Sequence, residues 1–343
     1  MFILVGILGL ALLMVVHEAG HHIAARAFGM RVIKFSIGFG PAIWRHQPKG
    51  SSTVYQVALI PFMAYVQIAG MNPFEDNDPN DAQSYANSSL IGRITTIFAG
   101  PFANYLFASV LYLIAFVVGG QPVPSLKVDV IAGGAAEKAT MQSGDRILRI
   151  DGRTLKTWDD LPEIVRSNAN RSLTVEVDRK GQNQVLKVVP DRAPEGHGQI
   201  GVKPAHVEWV PMTVGQAVEK SVVFPAQIAV AIVVDLSKTV TGRKKLSMKD
   251  LAGPVAIVGE TGKAAKRGVV DLLSLLGLIS TYLGIFNLLP IPALDGGRLV
   301  FLGYEAVARR RPNAKIEAQI HAVGLAMLLL LIAVVTVFDI RGH

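Results

Sequence analysis

The sequence predicts a polytopic α-helical membrane protein of about four transmembrane helices, with a membrane-associated β-hairpin region and an inserted α/β domain. Three observations carry this. Half of the 343 residues are hydrophobic and the mean hydropathy is +0.39, more apolar than soluble domains of this size. The apolar residues gather in long runs toward both ends, while the middle is polar and mixed. The basic residues behind the net charge of +8 flank those runs, and no aromatic-basic pattern of a nucleic-acid binder accompanies them. No nucleic-acid partner is therefore expected.

Residues 1–26 form the first span, a run that continues into His17, Glu18 and His21. No basic residue precedes it, so it is expected to be a retained helix rather than a cleaved signal. Residues 27–91 follow as a cytoplasmic, membrane-dipping hairpin region and loop. Val32 to Phe39 and Val54 to Val66 are rich in β-branched and aromatic residues, with Gly38, Gly40 and Pro41 as turn chemistry. Residues 92–120 are the second span. Residues 121–205 are the inserted domain, with strands expected at Lys127–Ile131, Ile147–Ile150, Ser172–Asp178 and Gln184–Val189 and a helix at Leu161–Ser167. Residues 206–268 read as an amphipathic linker, in which the apolar run Val222–Leu236 is interrupted by Pro225 and is expected to be interfacial or partly inserted, with a fifth span as the alternative. Residues 269–298 are the third span, 299–322 a cytoplasmic loop and 323–343 the fourth span. A helical crossing needs about 20 apolar residues, which the four runs approach or exceed.

The basic clusters set the orientation. Arg26, Arg31, Lys34, Arg45 and Lys49 follow the first span, and Arg309, Arg310, Arg311 and Lys315 lie between the third and fourth. The positive-inside rule places both loops in the cytoplasm, and both termini and the insert outside. Glu75, Asp76, Asp78 and Asp81 weigh little in that rule, and Arg243, Lys244 and Lys245 read as a basic patch near headgroups. The absence of cysteine leaves His, Asp and Glu as the available metal ligands.

His17-Glu18-Ala19-Gly20-His21 is an H-E-x-x-H pattern. On a helix, positions i and i+4 share a face, so both imidazoles can bind one metal ion. Glu18 points about 100° away, within reach of a water that the metal activates, and can take its proton. A charged residue inside a membrane helix costs about 2.5–3.5 kcal/mol on the insertion scale, so a glutamate between two histidines there demands a function. His22 lies off the shared face and is expected to be no ligand. A catalytic site needs a third protein ligand. Asp295, in Asn287-Leu-Leu-Pro-Ile-Pro-Ala-Leu-Asp295-Gly-Gly, is the candidate: Pro290 and Pro292 break the helix and Gly296-Gly297 gives the backbone room. Asn287 and Asn104 are amides within apolar spans, suited either to a substrate's freed backbone groups or to helix–helix hydrogen bonds.

Together these motifs resemble the site-2 protease family of intramembrane zinc proteases, within it the bacterial RseP-like branch with one PDZ domain. The resemblance rests on His17 to His21, Gly38-Phe-Gly-Pro41, Gly100-Pro101-Phe-Ala-Asn104 and the Asn287 to Gly297 stretch. It implies zinc held by His17, His21 and Asp295, with Glu18 as catalytic base. It also implies transmembrane protein substrates, already cut once outside the membrane, such as anti-sigma factors or remnant signal peptides, and residence in a bacterial inner membrane with a periplasmic insert. Met63-Ala64, before Tyr65-Val66, departs from the family's paired glycines. The insert resembles a PDZ domain through Gly133-Gly-Ala-Ala136 and Gly144-Asp-Arg-Ile-Leu-Arg-Ile150, either as a size filter or as a peptide binder. Because a membrane helix must unwind before its carbonyls can react, the strand edge near Tyr65, with Asn287, Asn104 and Pro290, is expected to hold the extended substrate. Weighed against the protease are a membrane-anchored PDZ scaffold with a vestigial metal site, a metal transporter, and a metalloprotease of soluble peptides.

Overall fold

The computed structural model describes residues 2–72, 78, 80–193, 196–243 and 253–341. Glu75, Asp76, Lys244, Lys245 and the side chain of Met63 lie outside the described residues. The chain divides into one unit of residues 1–118 and 214–343 and a second of residues 119–213.

The first unit opens with helix α1 (Phe2–Ala27), strands β1 (Val32–His46) and β2 (Val54–Ile68) and helix α2 (Leu90–Gly119). The second unit carries β3 (Gln121–Pro124), β4 (Val128–Val130), α3 (Ala135–Lys138), β5 (Arg146–Ile150), β6 (Arg153–Thr154), α4 (Asp160–Arg166), β7 (Leu173–Arg179), β8 (Gln182–Val188), β9 (Asp191–Arg192), β10 (Gly198–Gln199), β11 (Val202–Pro204) and β12 (Val207–Val210). The first unit resumes with α5 (Val214–Val240), α6 (Pro254–Arg267), α7 (Val269–Leu288), α8 (Asp295–Ala308) and α9 (Ala314–Arg341).

Small residues let the helices of the first unit approach closely, as membrane helix packing requires. A Cβ on Gly20 of α1 would run into the Ala99 carbonyl of α2, and one on Gly277 of α7 would lie 3.1 Å from the Tyr112 ring. Gly284 of α7 sits 3.0 Å, by the same measure, from the Pro101 carbonyl oxygen. These pairings run α2 antiparallel to α1 and to α7, so α1 and α7 are parallel. Leu13, Leu111 and Leu276 close the seam between the three. Many outward-facing side chains of these helices are apolar, among them Ile23, Leu106, Met327 and Leu330, as a helix surface against lipid demands.

Among the described residues, five helices are long and apolar enough to cross a membrane: α1 from Leu4, α2, α5, α7 and α9. The run Val222–Leu236 therefore belongs to a longer helix than its sequence suggested. Residues 214–221 include Gln216, Glu219 and Lys220, which dilute the apolar signal but are good helix formers. Pro225 is accommodated inside α5, where the Tyr105 hydroxyl of α2 donates to the nearby Val222 carbonyl at 2.7 Å. Phe224 completes the contact, edge-on to the Tyr112 ring at 5.0 Å.

β1 and β2 pair antiparallel with repeated shifts of register. Phe35 lies opposite both Val66 and Tyr55, so the first part of β1 has β2 on either side of it. His22 of α1 anchors this sheet, its Nε2 3.2 Å from the Tyr55 hydroxyl and its ring edge-on to Phe35.

In the second unit β6, β5, β7 and β8 form one four-stranded antiparallel sheet. Lys180 and Gly181 both take positive φ, 54° and 87°, the conformation of a two-residue hairpin turn between β7 and β8. Ile147, Val175, Val177 and Val188 pack with Ala136, Leu161 and Val128 into its core. Asp145 is 1% exposed. It accepts hydrogen bonds from Arg179 Nε at 2.8 Å and Nη2 at 2.7 Å and from the Gln142 amide at 2.9 Å. Burial alone would raise the Asp145 carboxyl, but these bonds outweigh it and hold the group below its ordinary range.

Asp145→Asn is expected to cost the second unit about 2–3 kcal/mol, read as faster amide exchange in β5 and β7 of the full chain. Because the folded carboxyl is the more acidic, its contribution is complete at neutral pH. It fades as pH falls below about 4, so wild type and variant should converge there.

Candidate metal centre

α1 places His17 and His21 one turn apart on the face that meets α2, and both are buried, at 7% and 6% exposure. The breaker sequence after α7 brings Asp295 to them. α8 begins at Asp295 itself. A Cβ on Gly296 would strike the Leu288 and Leu289 carbonyls, and one on Gly297 would lie 2.5 Å from the Ile291 carbonyl oxygen, so this turn needs both glycines. Ala293 adopts a φ of 77°, a conformation a residue with a Cβ holds only at a cost. Its amide donates to Nδ1 of His321 on α9 at 2.9 Å.

His17, His21 and Asp295 each turn one ligand atom to a common point, all within 4.8 Å. The two Nε2 atoms are 3.2 Å apart. Asp295 Oδ2 is 3.1 Å from one and 3.3 Å from the other, yet it is buried with no hydrogen-bond partner. A tetrahedron with zinc-to-ligand arms of about 2.0–2.1 Å has edges of about 3.3 Å, which these separations match. His21 Nδ1 lies 2.7 Å from the Thr96 carbonyl of α2. A carbonyl only accepts, so Nδ1 carries the proton and Nε2 presents its lone pair. An imidazole lone pair facing a buried carboxylate oxygen without a donor calls for a cation between them, and this donor set of nitrogen and oxygen suits zinc.

Glu18 is half-buried beside the histidines, and its Oε2 accepts the Val66 amide of β2 at 2.9 Å. The hairpin thus reaches the centre through its backbone. A groove of about 360 Å³ runs along Tyr65, Val66, Gln67 and Ile68, with Arg298 of α8 among its lining. Gly100 touches the centre directly, since a Cβ there would enter the His21 ring. Farther along, Arg93 makes a paired hydrogen bond with Glu305 at 2.9 and 2.6 Å, tying the start of α2 to α8.

The structure brings His17, Glu18, His21 and Asp295 together, and sets Tyr65 one residue from the Glu18 contact. The Asn287 amide donates to Leu283 of its own helix at 2.9 Å, and Pro290 is exposed in the turn leading to Asp295. Asn104 is 0% exposed and its side chain faces His17 rather than any open groove. Thr96, the Val66 amide and His321 escaped the sequence reading. The first two act through backbone atoms, which leave no mark on residue type, and an isolated histidine near a helix start carries no motif.

A buried histidine pair and carboxylate inside a bundle of apolar helices, with a glutamate beside them, define a membrane metallopeptidase. The comparisons agree: residues 5–331 match the model of peptidase family M50, and the chain belongs to that family, the site-2 proteases. It is 29% identical to the zinc metalloprotease RasP of Geobacillus kaustophilus, covering 95% of this chain and 94% of that one. It is 30% identical to RasP of Oceanobacillus iheyensis, covering 98% and 97%. The protein is thus a multi-pass membrane zinc metalloendopeptidase. A PDZ domain of an SdrC-like protein from Listeria innocua aligns with 25% of this chain and 96% of its own, at 19% identity and a TM-score of 0.22, too low to argue a fold from.

Gly100→Ala is expected to push the His21 ring from its place and lower zinc affinity by about 10- to 100-fold. Metal analysis of the purified protein after dialysis against a graded chelator checks this; wild-type retention would show that the ring has room to move.

Proposed function

We propose that the chain hydrolyses peptide bonds in or near transmembrane segments of membrane proteins, with zinc held by His17, His21 and Asp295 and with Glu18 as base. The observation that carries this is the convergence of three ligand atoms at tetrahedral spacing inside the helix bundle. Zinc there would polarise the scissile carbonyl and activate the attacking water. Glu18 takes the proton from that water and delivers it to the leaving amine nitrogen, an acid–base shuttle for which its place beside both histidines suits it. The Thr96 carbonyl holds the His21 ring in the ligating tautomer.

A helical substrate must arrive unwound. The groove beside β2 offers an extended chain a strand edge, with Tyr65 on it and Arg298 lining it. We propose that Asn287 and Pro290, on the stretch that delivers Asp295, also contact the extended chain. We assign residues 121–205 to a PDZ domain on the outer side of a bacterial inner membrane, screening substrates already shortened by another protease, such as anti-sigma factors or remnant signal peptides.

Four helices then cross the membrane. α2 is antiparallel to α1, so it ends on the side where α1 begins. α6 returns to that side, because Val258 and Thr261 pack on Gly6 and Asp339 near the end of α9 accepts from the Gly253 and Ala256 amides. The stretch from α2 to α6, including α5, therefore adds no net crossing. Both termini lie outside, and the basic clusters of residues 26–49 and 309–315 lie in the cytoplasm.

Co-expression with a tagged single-span substrate, its outer domain already removed, tests the activity. Wild type should cut and Glu18→Gln should not, while His21→Ala and Asp295→Ala should lose zinc. Equal cleavage by wild type and Glu18→Gln would remove Glu18 from the chemistry, and full zinc retention in both ligand variants would sink the assigned centre.

A further inference from the structure

We infer that Asn104 is a positioning residue for His17: its side-chain oxygen accepts the Nδ1 proton of that ring and so fixes the tautomer and the plane in which His17 meets the metal. The inference rests on His17 being a ligand, and it moves Asn104 from the substrate to the metal. His17 must present a bare Nε2 to bind zinc, so its proton sits on Nδ1, and a buried Nδ1–H needs an acceptor. The Asn104 side-chain amide lies 3.1 Å from Nδ1. As placed, its nitrogen faces the ring while its Oδ1 is buried with no hydrogen-bond partner. The two amide ends are nearly alike in shape, and their assignment follows the hydrogen-bond network. Turning the amide by half a rotation sets the orphaned acceptor against the ring N–H, and the amide nitrogen takes the place of Oδ1. His21 has the same arrangement, with the Thr96 carbonyl as its acceptor, so α2 supplies one oxygen to each histidine.

The position of Asn104 is itself held from outside α2. Ser280 of α7 donates to the Asn104 backbone carbonyl at 2.8 Å, and a Cβ on Gly284 would lie 3.4 Å from the Asn104 Cβ. Asn104 has no room to swing toward a substrate, and α7, which delivers Asp295, also seats the residue that orients His17.

The test uses the full-length enzyme in detergent and measures zinc affinity by chelator competition, with the thermal midpoint of the zinc-free form as a separate readout. Asn104→Leu and the smaller Asn104→Ala should weaken zinc binding by about 10- to 100-fold. Asn104→Asp, which keeps an acceptor oxygen, should recover most of that loss at an equal or lower zinc-free midpoint. Wild-type affinity in Asn104→Ala, or equal losses in Asn104→Ala and Asn104→Asp, would overturn the inference. His17→Ala separates the two assignments. If it leaves zinc affinity intact, the ligand set fails and this inference with it; if it abolishes binding while Asn104→Ala does not, the positioning role alone fails.

Discussion

Two imidazoles and two carboxyl groups cannot be set inside an apolar bundle unless every nitrogen and oxygen has a use, and the first unit is built around meeting that condition. An unpaired polar group costs several kcal/mol where no water can replace its partner. The close approach of α1 and α2 meets it. Without a Cβ on Gly20 the helices touch at Ala99, and without one on Gly100 the His21 ring fits against α2. Only at that spacing does the Thr96 carbonyl come within 2.7 Å of His21 Nδ1. The glycines and the histidines are thus one feature: the first set the separation at which the His21 ring is satisfied by a backbone carbonyl.

The same condition explains the turn that carries Asp295. A helix ending inside a bundle exposes its last carbonyls, and the Asp295 carboxylate must reach the histidines from a different direction than the helix axis. Pro290 and Pro292 stop α7, Ala293 takes a backbone conformation normally left to glycine, and Gly296 and Gly297 let α8 start against the end of α7. His321 holds the Ala293 amide, so α9 takes part in placing Asp295.

Much of this was legible in the residues. Histidines four apart on an apolar helix declare a shared face, and a proline-broken span followed by Asp-Gly-Gly declares a carboxylate with freedom to turn inward. The strands of the insert followed from alternation. Other parts left no trace. The partners of His21 and of Glu18 depend on which elements meet, and a backbone carbonyl or amide has no letter in the sequence. The length of α5 was hidden because Glu219, Lys220 and Pro225 interrupt the apolar count, although the first two favour a helix and the third is tolerated where a neighbouring hydroxyl serves a nearby carbonyl. The double pairing around Phe35 is a nonlocal choice of partner, which alternation alone cannot specify.

The bond from the Val66 amide to Glu18 fixes the height of the β2 edge relative to the Glu18 carboxylate. Side chains along a strand repeat every two residues, and slipping a paired chain by one turns all of them over. A polypeptide laid against that edge is therefore read like a ruler with marks two residues apart, about 6.6–6.8 Å. Under the proposed activity, any secondary scission should fall an even number of residues from the main one, so the spacing of the products would report the sheet that presented them.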